Sequence, residues 1–270
     1  MGGALVEALV AQGVEVTALA RGSAGAERLA QAGARVVRGD VGESGRWGAR
    51  AADAEVVFHL ALPRLIPPVR GRHVRRAARE ARAGAEVVLE QAAGRPIVMA
   101  SCAIADQRGP LDIARPARAA EQVLAQGDAR AVRLPWAYGP SGFICDISRG
   151  LQLRRFRMVG PAGNRIALIS AHDAANALAL AAGAPAGTYC VAEESCPTQE
   201  ELVAHMCAAR GATRPDHLPP RMAGLGMGAV VVQAITADQR IDPAPPPGFT
   251  CASRWDRDMM PALGGEESPR

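Results

Sequence analysis

The side chains able to handle a proton near the end of an apolar run are few. Ser101 closes the run 96–101, and His59 lies near the end of the run 55–61. Asp106 and Asp112 follow Ser101, and His172 opens a later helical stretch. A serine is a weak acid or nucleophile at pH 7 unless a base stands beside it, and histidine is the side chain whose ordinary titration falls nearest that pH. Ser101 and His59 are therefore the catalytic candidates, although a lone histidine more often serves packing. Arg149, Arg154 and Arg155, with Arg157 close by, could clamp an anionic substrate through planar guanidinium forks. All 31 basic residues are arginine, so no mechanism can use a lysine ammonium or a Schiff base.

Composition narrows the class further. With 270 residues, 49% apolar and 21% charged, the chain can bury a sizeable core and reads as globular. A net charge of +4 is too small and dispersed to indicate nucleic acid. The seven arginines between 64 and 82 read as a solvated helix face. Six cysteines show neither CxxC pairing nor metal-ligand spacing, so reduced thiols, no metal and a cytoplasmic location are expected. No secretory leader opens the sequence at Met1. The apolar stretch 222–237 is too short and too rich in glycine to span a membrane, so no membrane partner is expected.

The elements that must position these side chains alternate between strand and helix. Gly2 and Gly3 open a helix with Leu5, Val6, Leu9 and Val10 on one face, closed by Gly13. Strands are expected at 14–19, 34–38, 55–61, 96–101 and 130–134, and helices across 64–91 and 116–125. This rhythm indicates an α/β, Rossmann-like, doubly wound parallel sheet over residues 1–140. Shorter elements over 141–237 suggest a small α/β lobe, some of whose segments return to the main sheet. The proline- and glycine-rich runs beyond 238 suggest a loosely ordered tail to residue 270.

In order and spacing, residues 2 to 211 resemble the extended short-chain dehydrogenase/reductase family, the NAD(P)-dependent epimerase/dehydratase group. The resemblance is carried by Gly2-Gly3, Arg21, Gly39-Asp40, Phe58-His59-Leu60-Ala61, the segment 134–140 with its Tyr138-Gly139-Pro140, the segment 172–175 and the segment 187–191. It implies that Gly2 and Gly3 are the last part of a phosphate-binding glycine turn. Arg21, Asp40, Ala61 and Tyr138 then complete the cofactor-binding set, and Arg21 with no acidic residue at its strand end favours NADP over NAD. The first strand of the order 3-2-1-4-5-6 is missing from the sequence, which leaves a gap in mid-sheet; an earlier true start than Met1 is the expected reason.

The family's proton-transfer pair, a tyrosine with a lysine four residues later, falls on Ile113 and Ala117. Three functions follow. One is an NADP-dependent epimerase/dehydratase-type oxidoreductase acting on a small-molecule substrate, with an unrecognised acid/base group. The others are a non-redox lyase, isomerase or cyclase using the same pocket, and a non-catalytic ligand-binding relative. A homodimer is compatible with each.

Overall fold

The computed structural model describes residues 1–106, 109–239 and 241–264. It opens with α1 (Gly2–Ala11), whose Leu5, Val6 and Leu9 are buried and whose end is turned by Gly13 at φ +79°. β1 (Thr17–Ala20), α2 (Ser23–Gln31) and β2 (Arg35–Arg38) follow, then α3 (Arg46–Asp53) and β3 (Val57–His59). The long α4 (Gly71–Gln91) leads to β4 (Ile97–Cys102) and to the small hairpin of β5 (Ala105–Asp106) and β6 (Gly109–Pro110). A single 3-10 turn, Asp112–Ala114, runs into α5 (Arg115–Leu124), which has proline in its first turn. β7 (Ala129–Leu134) and β8 (Trp136–Tyr138) come next, so the segment 135–140, which reads as a loop from its sequence, is in part a strand.

The second half contains α6 (Phe143–Gln152), β9 (Met158–Val159), β10 (Leu168–Ser170), α7 (Ala171–Ala181) and β11 (Gly187–Cys190). α8 (Gln199–Arg210) then starts on a capping box. Thr198 Oγ1 accepts from the Glu201 amide at 3.1 Å, while Glu201 Oε2 accepts from the Thr198 amide at 2.8 Å. β12 (His217–Leu218), α9 (Pro220–Met227), α10 (Ala229–Thr236) and α11 (Trp255–Ala262) complete the order. No helix among the described residues is long and apolar enough to cross a membrane.

The main sheet is parallel and ordered β11-β7-β4-β3. Alternation along β4 explains its two covers. Val98 packs with Leu5 and Leu9 of α1 and Leu178 of α7, whereas Ile97 and Met99 pack with Ala85 and Val88 of α4 and Val123 and Leu124 of α5. Both faces are apolar, as a helix-covered parallel sheet requires. β1 and β2 form a separate parallel pair. Among the described residues no ladder joins β1 or β2 to the main sheet. The same helical layers hold the two parts together: Leu19 and Val37 join the α4 cluster, and Val16, Val56 and Phe58 join the α1 cluster.

Beyond residue 140 the chain divides its segments. β10 pairs with β8, while β11 returns to the main sheet beside β7. A third cluster unites Ile144 and Ile147 of α6, Leu202 and Met206 of α8, and Met259 and Leu263. The expected loose tail beyond 238 is therefore built into the fold over much of its length, because Trp255, Met259 and Leu263 recur at helical spacing and find an apolar bed. Its residues 240 and 265–270 lie outside the described residues. Met259 is fully buried. Met259→Ala should destabilise the protein by about 2–5 kcal/mol in urea unfolding; a loss below about 0.5 kcal/mol would mean that this arm is not part of the folded core.

Candidate functional site

Arg21, Asp40 and Ala61 follow the carboxyl ends of β1, β2 and β3 respectively. Arg21 Nη1 lies 3.4 Å from Asp40 Oδ2, and Asp40 Oδ1 accepts from the Gly42 amide at 2.9 Å. These contacts, the Gly42 amide foremost, hold the Asp40 carboxyl below its usual range. Both partners are largely exposed, at 77% and 40%, so the ion pair contributes little to stability and its arginine can exchange partners. Ala61 is exposed just past β3. Gly2 and Gly3 are exposed at the start of α1, where an added Cβ would meet nothing within 4 Å. Backbone there is open to close approach.

The group beside Ser101 is a carboxylate held by two arginines. Its Oγ donates to Glu121 Oε2 at 2.7 Å, and Glu121 is held in turn by Arg118 at 3.2 Å and by Arg133. The period of the strand explains this: Ser101 shares the face of Ile97 and Met99, which is the face covered by α5. Its hydroxyl belongs to a closed ion cluster. His59 is 3% exposed, its Nε2 has no hydrogen-bond partner among the described residues, and burial pushes its pKa down to about 4. It is a neutral core histidine at pH 7. The β3–β4 register sets it beside Met99, short of Ser101.

Tyr138, expected beside the cofactor, is fully buried in the lobe cluster. Its phenol is pushed above the usual range, chiefly by burial and then by Glu193. The placement follows from β8 pairing with β10, which sets Tyr138 beside Ser170. Arg149, Arg154 and Arg155 are exposed at and after the end of α6, with Arg154 at φ +54°. Asp112 and His172 are likewise exposed.

Ile113 and Ala117, the two positions matched to the proton-transfer pair in the sequence, both take part in core packing. Ile113, in the turn before α5, packs against Val69, Val74, Val230 and Ile235 on one side and against Ile104, Leu111 and Ala234 on the other. Ala117 is buried at 3% exposure. α10 supplies most of this bed, and Trp136 joins it while stacking on Phe143 at 4.6 Å. The join between α9 and α10 is pressed onto the loop after β3: the Val69 amide donates to Met227 O at 2.8 Å. At Gly228, φ +86°, a Cβ would overlap the Val69 backbone. The apolar stretch 222–237 is therefore two short helices hinged at a glycine that only close backbone contact requires. Beside this bed lies an apolar cavity of about 160 Å³ between α6, α8 and α10, bordered by Phe143, Ile147, Val159, Leu202 and Ile235.

Two buried carboxylates escaped the reading of the sequence. Asp173 and Glu193 are 1% and 3% exposed beside Tyr138. Ser170, three residues before Asp173, was the available signal, since its Oγ caps α7 by accepting from the Asp173 amide at 2.9 Å. Glu193 had none.

No family model and no curated protein matches this sequence. Among solved structures, the chain shares the fold of NAD(P)-dependent epimerase/dehydratase-type short-chain dehydrogenase/reductases. It superposes on a Thermus thermophilus UDP-glucose 4-epimerase in complex with NAD at a TM-score of 0.73 and 20% identity, covering 97% of this chain and 94% of that one. The human epimerase family protein SDR39U1 with NADPH gives 0.70 and 17%, covering 90% and 87%. MoeE5 in complex with UDP-glucose and NAD gives 0.69 and 20%, covering 89% and 90%. The resemblance drawn from the sequence thus holds at the level of fold.

Two outcomes test this geometry. His59 takes up a proton at about pH 6.5 when unfolded and about 4 when folded. Its contribution is therefore complete above pH 6.5 and is lost as pH falls, by about 3 kcal/mol at pH 4. Urea unfolding of His59→Phe should lack that segment of the pH dependence; an unchanged profile would refute the buried neutral histidine. Gly228→Ala should cost about 3 kcal/mol or more, from strain and from overlap with Val69. A change within about 0.5 kcal/mol would refute the close approach.

Proposed function

We propose that this protein is a nucleotide-binding relative of the epimerase/dehydratase-type reductases that holds its ligand by the adenosine end and carries out no hydride transfer. The observation that carries this reading is the packing of Ile113 and Ala117 into the apolar bed beneath α10. A proton-transfer pair must be polar and must reach the substrate. Neither residue is polar, and Ile113 is committed to a hydrophobic cluster.

The exposed edge supports the binding half of the proposal. Arg21 is a cation with a weakly held partner at the end of β1, suited to a 2′-phosphate and hence to NADP. Asp40 would meet the adenine side, Gly2 and Gly3 leave room for phosphate against backbone, and Ala61 lines the segment beyond β3. A bound nicotinamide would supply a hydride acceptor or donor. This chain's own residues offer it no acid: Ser101 is bound to Glu121, His59 is a buried neutral base, and Tyr138 is sealed in the lobe. A small, largely apolar molecule fits the 160 Å³ cavity better than an anion would, since its lining is apolar apart from Asp146 and the internally bonded Gln199.

Calorimetric titration should give NADP binding tighter than NAD, and Arg21→Ala should weaken NADP about tenfold or more while leaving NAD nearly unchanged. Failure of both nucleotides to bind at millimolar concentration would overturn the binding reading. Substrate-dependent oxidation of NADPH by the wild-type protein would overturn the non-catalytic one.

A further inference from the structure

The last described segment crosses the two buried carboxylates and is fastened to both. Asp173 Oδ2 accepts from Ser170 Oγ at 2.9 Å, from the Ser253 amide at 3.0 Å and from Cys251 Sγ at 3.4 Å, and Oδ1 accepts from the Ala252 amide at 3.2 Å. Ser253 Oγ donates to Ser170 Oγ at 2.9 Å. Glu193 Oε2 accepts from the Trp255 amide at 2.6 Å. Its other oxygen, Oε1, and Tyr138 Oη are buried without a well-formed hydrogen bond among the described residues. Beyond this fastening, α11 delivers Met259 and Leu263 to the lobe core.

We propose that residues 251–263 form a pH-operated clasp, closed over the lobe while Glu193 is a neutral acid and loosened once Glu193 ionises beside Asp173. The two carboxylates are not equivalent. Asp173 has four donors, which together hold it below its usual range although burial acts the other way. Glu193 has the Trp255 amide and the Tyr138 phenol in its favour, against burial, Asp173 and Asp258, and it is pushed up to about 7.

The groups around Glu193 come from every element of the clasp and its bed. They are Tyr138 of β8, Asp173 of α7, Asp258 and Arg257 of α11, Cys196 before α8, and Cys251, whose thiol is pushed up to about 12. Arg257 donates to Asp258 at 2.8 Å, so its charge is directed there. His205 of α8 meets the Trp255 ring edge-on at 5.4 Å.

The sign follows from linkage. The carboxyl is pushed up to about 7 when docked, and undocking returns it toward its ordinary 4.5, so docking loses its advantage progressively as pH rises through that interval to 7. Between those two values undocking releases a proton, and the docking equilibrium falls by up to tenfold per pH unit.

Amide hydrogen exchange by mass spectrometry on the whole protein, from pH 4.5 to 8 and corrected for intrinsic exchange, tests the proposal. Protection of 252–263 should fall relative to β4 by up to tenfold per unit between pH 4.5 and 7, then level off. Glu193→Gln should remove that slope. A wild-type protein whose segment shows no slope relative to β4 would overturn the clasp, and so would a Glu193→Gln variant that keeps the wild-type slope.

Discussion

The apolar contact between α10 and the turn that opens α5 governs what the cleft can be. Val230, Val231, Val232 and Ile235 form a nearly continuous hydrophobic face. Burying such a side chain contributes about 1.5–3 kcal/mol. That gain is realised against Val69, Ile113 and Trp136. An unpartnered polar pair in the same bed would cost a comparable amount, so the chain favours packing here. Gly228 makes the choice firm, because its backbone approaches Val69 as closely as a side chain would forbid.

The interrupted sheet persists for a related reason. The edges of β1 and β3 each leave a row of backbone donors and acceptors without a strand partner, which is costly where water is excluded. The helices compensate: α4 covers Leu19, Val37 and Val57 in one cluster, and α1 lies over Val16, Val56 and Phe58 in another. Shared helical layers, rather than a continuous hydrogen-bond ladder, join β1 and β2 to the main sheet.

Much of this was legible in residue pattern. Apolar runs with period 2 or 3.6 located β4, β7, α4 and α5. Direction was harder. Ser101 lies at a strand end, as a reactive serine would, yet nothing in the run 96–101 says which face meets the cleft; only the packing of Met99 against α5 decides it. Tyr138 was misplaced because 135–140 reads as a loop, whereas pairing with β10, a long-range event, makes it a strand. The proline-rich run near 245 masked the helical spacing of Trp255, Met259 and Leu263 that follows it. Glu193 sits in a polar stretch that resembles any surface loop, and burial by a segment some sixty residues later is invisible to local pattern.

The contrast between the two buried carboxylates carries the argument from packing to chemistry. Burial alone would drive both toward the neutral acid. Asp173 remains an anion because four donors converge on it, two of them backbone amides of the clasp. Glu193 receives a single well-formed bond from the clasp and faces an existing negative charge. Donor count, not depth, separates them, since both are almost fully buried. Carboxylates driven apart in this way often mark acid/base sites. Here the pair is roofed by the chain's own segment rather than by a substrate cleft, so the titration acts on the segment's docking. The same groups that would have made a reactive site in an open pocket become, once covered, a link between proton concentration and local order.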